Sequence, residues 1–142
     1  MGTFPMGENK MKKIYLCGPI MDITKKQASK WREKTKKHFS FYPGFKCLDP
    51  IRRNFRDEEL ASRNEIVQLD KADIIDADIL LVNATKPSWG TAMEVMFAYS
   101  KHKIIIAFTG KEHKDLSPWL AYHSTRTFKT LDECVKYIEK NF

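Results

Sequence analysis

The chain has 142 residues, 42% hydrophobic and 12% aromatic, with a formal net charge of +7. Those values suit one globular domain around a single core, with no apolar run near the ~20 residues of a membrane span and nothing resembling a secretory signal. Cys17, Cys47 and Cys134 are odd in number and form no CxxC pair, which points to free thiols in a reducing cytoplasm rather than a disulfide frame or zinc site.

Met1 to Lys10 lack periodicity and precede a second Met at position 11. They read as a disordered leader, leaving residues 11–142 as the domain. Lys13 to Cys17 is a first strand, ended by Gly18-Pro19. Thr24 to Phe39 is an amphipathic helix, and Tyr42-Pro43-Gly44 turns the chain. Between Lys25 and Lys37 seven basic residues stand against Glu33 alone. Ala28, Trp31, Thr35 and His38-Phe39 share the opposite, apolar spacing, so the lysines cover a solvated face. No nucleic-acid-binding module accompanies that charge, and a nucleic-acid partner is not expected.

Phe45 to Leu48 is a second strand, closed by Asp49-Pro50, and Asp57 to Ile75 a second helix. Asp78 to Asn83 is a third strand, Thr91 to Lys101 a helix, and Lys103 to Phe108 a fourth strand. A short helix over Pro118 to Tyr122, a weak strand over Thr125 to Phe128 and a helix from Leu131 to Lys140 complete the chain. Ile79 to Val82 and Ile104 to Ile106 are continuous apolar runs, as in strands covered on both faces. The alternation predicts an α/β fold: one doubly wound, five-stranded parallel sheet of flavodoxin-like order 2-1-3-4-5, with helices on both faces. Its switch point would set the loop Gly18 to Asp22 opposite the loop Thr85 to Thr91 across one crevice.

Glu94 and Asp70 are the candidate reactive groups. Thr91-Ala92-Met93-Glu94 fits a capping box, and from local pattern alone that role for Glu94 stands ahead of catalysis. Against it, Met93 and Val95 to Tyr99 make the helix apolar nearly all round, so Glu94 would open a helix buried in the core or against a partner subunit. Desolvation there would strengthen it as a nucleophile or base. Asp70 shares a helical face with Ile66. It gains interest if it meets Glu94, because paired carboxylates divide acid and nucleophile roles.

Gly18-Pro19-Ile20 and Ser88 sit where backbone amides or a hydroxyl could hold a phosphate, although ordinary turn chemistry explains both in isolation. Neither GxGxxG nor GxxxxGK[ST] is present. Ser117-Pro118 is a plausible helix start, and Trp89 and Trp119 read first as packing residues. The four histidines lack metal-ligand spacing.

Lys13-Ile14-Tyr15-Leu16-Cys17-Gly18-Pro19-Ile20, Asp70 with Ala77-Asp78-Ile79-Leu80, and Gly90-Thr91-Ala92-Met93-Glu94 together resemble the nucleoside 2-deoxyribosyltransferase family. That family includes the deoxynucleoside 5′-monophosphate N-glycosidases, and the resemblance spans Lys12 to Ile138. It implies Glu94 as the nucleophile at the anomeric carbon, Asp70 as the acid that assists the departing base, and Tyr15 as the residue that orients Glu94. It implies substrate contacts at Gly18, Pro19, Ile20, Ser88 and Gly90, with Ser117 reaching the 5′-phosphate from a neighbouring subunit. No metal or organic cofactor is implied. The expected partners are a small nucleotide or nucleoside and a second copy of the chain, a homodimer. Ser88 and Ser117 point to a nucleoside monophosphate. Pro19 stands where the hydrolase pattern has serine, with an arginine missing beyond it. Arg52, Arg53 and Arg56 are candidates to supply that charge, and base exchange between deoxynucleosides is the alternative activity.

Overall fold

The computed structural model describes residues 10–110 and 116–142. All of the expected leader except Lys10 lies outside them. Five parallel strands, β1 (Lys12–Cys17), β2 (Phe45–Leu48), β3 (Ile79–Asn83), β4 (Ile104–Phe108) and β5 (Arg126–Phe128), form one sheet of order β2-β1-β3-β4-β5. The helices are α1 (Lys25–Phe39), α2 (Arg63–Asp76), α3 (Trp89–Ser100), α4 (Pro118–His123) and α5 (Leu131–Asn141), with one 3-10 turn over Pro50–Arg52.

The two-residue period of the strands creates two cores. Ile14 and Leu16 of β1 point with Ile79, Leu81 and Ile106 toward α1 and α5, where Trp31, Val135 and Ile138 close the packing. Tyr15 and Cys17 point the other way, with Leu80, Val82 and Ile105, toward Ile74 of α2 and Val95 and Ala98 of α3. Ile79 to Val82 are fully buried, each worth roughly 1.5–3 kcal/mol relative to exposure. This second core carries the groups that matter below.

Helix starts explain the differences from the expected bounds. Thr24 and Gln27 form a reciprocal capping box at α1. The second helix starts at Arg63 rather than Asp57, because Asp57 has a left-handed φ of 69° that no right-handed helix accommodates. α3 starts at Trp89, with Ser88 as its N-cap accepting from the Thr91 amide. Glu94 therefore lies past the first turn, and the expected Thr91–Glu94 capping box is not formed. Its carboxylate turns instead to β1.

Arg32, counted above with the basic segment, is fully buried. Its guanidinium donates to the carbonyls of Ala28 (2.8 Å) and Gly18 (3.0 Å) and lies 3.6 Å from Asp49. Asp49 also pairs with Lys36 at 2.8 Å. This buried pair satisfies carbonyls that the β1–α1 loop leaves unpaired, and so fixes the loop that forms one wall of the crevice.

Candidate active site

A cavity of about 370 Å³ opens beyond the carboxyl ends of β1 and β3, at the switch point. Gly18 and Ile20 come from the loop after β1, and Ser88, Gly90 and Thr91 from the start of α3. The two predicted loops do face each other. Gly18 is required there, since a Cβ would lie 2.8 Å from the Trp31 ring and 3.0 Å from Asn83. The opposite wall is largely apolar, with Ile51, Phe55, Ile66 and Val67.

Two predicted substrate contacts lie elsewhere. Pro19 is buried and does not line the cavity. It has no N–H to offer an anion, and its carbonyl faces the Arg32 guanidinium at 3.5 Å. Ser117 caps α4, accepting from the Trp119 amide, and is exposed outside the cavity of its own chain.

Glu94 and Asp70 both line the cavity. The Tyr15 phenol donates to Glu94 Oε2 at 3.0 Å, and the Cys17 thiol donates to Oε1 at 3.3 Å. Both donors are fully buried, and both come from one face of β1 because they are two residues apart. Burial foremost, then the adjacent Asp70 charge, pushes the Glu94 carboxyl up to about 8, while the two β1 donors pull it down. Burial also raises Asp70, opposed by hydrogen bonds to Glu94 and Arg53. Asp70 and Glu94 act on each other's titration, and burial with the neighbouring charge favours the protonated form of Glu94. Desolvation by burial, reinforced by the Glu94 charge, lifts Tyr15 and Cys17 well above their ordinary values, so both remain donors.

Arg53 reaches Asp70 at 3.0 Å and Asp73 at 2.9 Å. Arg56 donates to the carbonyls of Ile20 and Ile23, tying the loop between β1 and α1. Arg53 and Arg56 line the cavity, and Arg52 instead holds Asp73 at 2.8 Å. Lys25, read from sequence as part of the solvated face, also lines the cavity and makes no ion pair among the described residues. It opens the first turn of α1 and so turns back over the crevice. Among the described residues no cluster of His, Cys, Asp and Glu suits a metal ion.

Trp89 is 90% exposed and Trp119 73%; neither is a core packing residue as expected, and Trp119 stacks on His123 of its own helix. With Met93, Met96, Tyr99 and Tyr122 they leave α3 and α4 with an open apolar surface. The Tyr99 and Tyr122 rings, 6.5 Å apart, join its two halves. No described helix is long and apolar enough to cross a membrane.

The family model described as nucleoside 2-deoxyribosyltransferase matches residues 14–130, which contain both carboxylates, Tyr15 and Cys17. The chain belongs to the nucleoside 2-deoxyribosyltransferase family. As a member it is an enzyme acting on the N-glycosidic bond of nucleosides or nucleotides. No curated protein matches. Among solved structures, a conserved protein from Enterococcus faecalis V583 superposes with a TM-score of 0.74 at 15% identity, covering 93% of this chain and 99% of that one. The CMP N-glycosidase BcmB of Clostridium botulinum gives 0.63 at 18% identity, covering 92% and 100%. A 2-deoxyribosyltransferase from Bacillus psychrosaccharolyticus gives 0.64 at 21%, covering 92% and 91%. At such identities the likeness extends to the doubly wound fold.

Proposed function

We propose that this transferase-family member cleaves the base–sugar bond of a (deoxy)nucleoside 5′-monophosphate through a covalent glycosyl–Glu94 intermediate. The observation that carries the reading is the Glu94 carboxylate, gripped by Tyr15 and Cys17 beside Asp70, at the end of a largely apolar cavity. With its proton passed to Asp70, Glu94 uses a carboxylate lone pair to form a bond to the anomeric carbon as the C–N bond breaks. The bonding pair leaves on the base nitrogen, and Asp70 delivers the shared proton to the base. Water, deprotonated by Asp70, then attacks the same carbon, returning Glu94 as a carboxylate and giving sugar 5-phosphate. A pair with one proton between them supplies both the anion and the acid that this sequence needs.

The start of α3 is the phosphate end of the reading. Ser88 and the first amides of this 12-residue helix present donors and a positive dipole end to an anion. Lys25 adds a charge across the crevice. The open surface of α3 and α4 buries in a homodimer, which carries the exposed Ser117 of one copy to the other's cavity. Gly18, Ile20 and Gly90 border the sugar.

Pro19 favours a second reading, base exchange between deoxynucleosides. It removes an amide from the anion cradle, and Arg53 and Arg56 are already engaged by protein groups. A panel of nucleosides and monophosphates, each with and without a different free base, followed by chromatography, separates the two. Free base and sugar phosphate from monophosphates alone support hydrolysis, and a new nucleoside supports exchange. Full activity in Glu94→Ala refutes the Glu94 intermediate in both readings, and no base release from any substrate leaves a non-catalytic nucleotide-binding module.

A further inference from the structure

We propose that Cys17 is a positioning residue for Glu94: its thiol and the Tyr15 phenol together fix the carboxylate plane and leave Oε1 as the oxygen that bonds to the sugar. This rests on Glu94 being the nucleophile. The geometry is a two-point clamp. Tyr15 and Cys17 project from the same face of β1, and each gives its one polar hydrogen to a different oxygen, at 3.0 and 3.3 Å. A carboxylate held at one oxygen can still rotate about its last torsion, which is broad. Held at both, it cannot.

The two donors are unequal, and that inequality assigns the oxygens. A phenol O–H is a strong donor and a thiol S–H a weak one. Oε2, facing the phenol, keeps the greater share of stabilised charge. Oε1, facing sulfur, retains the more available lone pair, and its hydrogen bond breaks at lower cost when the bond to carbon forms. The thiol hydrogen also has another acceptor within reach, the Thr91 carbonyl 3.9 Å from sulfur. Once Oε1 becomes an ester oxygen and loses basicity, the S–H swings to that carbonyl rather than being left unpaired. Cys17 is fully buried, and burial together with the Glu94 charge holds its proton in place. It therefore acts as a donor and not as a nucleophile.

The charged and titratable groups around Glu94 are Tyr15 and Cys17 from β1 and Asp70 from α2. Arg53 and Asp73 lie behind Asp70, and Arg32 of α1 lies beyond Cys17. Among these, Tyr15 and Cys17 donate to Glu94 whatever the protonation state of Asp70. The test is the Glu94 carboxyl titration, followed by ¹³C NMR in the protein with labelled glutamate, in the parent, Cys17→Ala and Cys17→Ser. Removing a donor to the anion should move the titration up by about half a unit or more, and the stronger hydroxyl donor should move it down. kcat should fall roughly tenfold in Cys17→Ala at neutral pH with KM unchanged, the loss expected for a misoriented group acting only in the transition state. A packing role alone would lower the melting temperature and leave the titration where it was, overturning the proposal.

Should either variant fail to fold, the S–H stretching band answers in its place. With Cys47→Ala and Cys134→Ala leaving Cys17 as the one thiol, that band should shift as Glu94 ionises. A band indifferent to pH overturns the clamp. The two readings fail separately. A titration that responds as expected without base release from any substrate removes the function and keeps the clamp. Glu94-dependent turnover with identical titrations in all three proteins removes the clamp and keeps the function.

Discussion

Replacing Glu94 with glutamine should abolish turnover and, at alkaline pH, make the protein more stable. Burial first and the Asp70 charge second hold this carboxyl at about 8 against an ordinary 4.5. The folded chain thus keeps a proton that the unfolded chain has already released, and stability is lost as pH climbs through that window. Below it, both states are protonated and nothing is lost. Each pKa unit corresponds to about 1.4 kcal/mol, so the ceiling is roughly 5 kcal/mol. Asp70 takes part in the same titration, so the loss carried by Glu94 lies below that ceiling. Glutamine has the shape of protonated glutamic acid. Its carbonyl can accept from Tyr15, its amide can donate to Asp70, and it has no proton to lose. Urea denaturation of parent and variant at pH 5 and pH 9, followed by tryptophan fluorescence, measures the difference. The midpoints should nearly coincide at pH 5 and separate at pH 9, with the variant higher and the slopes equal. Parallel pH dependences, or a variant weaker at pH 9, would refute the argument that burial strains this carboxylate.

Three other outcomes follow from named contacts. Arg32→Met should destabilise the fold by about 3–5 kcal/mol in denaturant titrations, because Asp49 is left buried with Lys36 alone and the loop carbonyls lose their donor. Ser88→Ala should cost about 1 kcal/mol through the lost cap, and should raise KM for a monophosphate more than for the corresponding nucleoside. Met93→Lys, on a residue 71% exposed in the single chain, should shift light-scattering mass from dimer to monomer. An unchanged mass would place the interface elsewhere.

Much of the fold was legible because its signals are local. The runs at Ile79 to Val82 and Ile104 to Ile106 are apolar on both strand faces, and only a sheet covered by helices on both sides satisfies them. The start of α3 was less legible. Ser88 and Thr91 are both competent caps, and Thr91 has the glutamate three residues on that a capping box requires. The pull of two donors from β1 decided otherwise, and that pull acts between residues 77 and 79 positions apart. Arg32 misled for a related reason. Among seven cations on one segment, Arg32 is the one set between Ala28 and Thr35 on the buried stripe, but its partner, Asp49, arrives from beyond the next strand. Cys17 carries a local signal of its own, since its two-residue spacing from Tyr15 places it on the same strand face.

The sequence by itself determined the alternation of strands and helices, the order of the sheet, and the two loops that face each other across its switch point. These rest on periodicity and turn chemistry, which act over a few residues. Its motifs also nominated Glu94, Asp70 and Tyr15 through family resemblance. Only the tertiary structure decided what Glu94 does with its carboxylate. The hydrogen bonds to Tyr15 and Cys17, the neighbouring Asp70 carboxyl and the guanidinium of Arg53 behind it all join segments far apart in the chain. Burial, which raises the Glu94 carboxyl against the pull of its two donors, is a property of the folded volume and of no single segment.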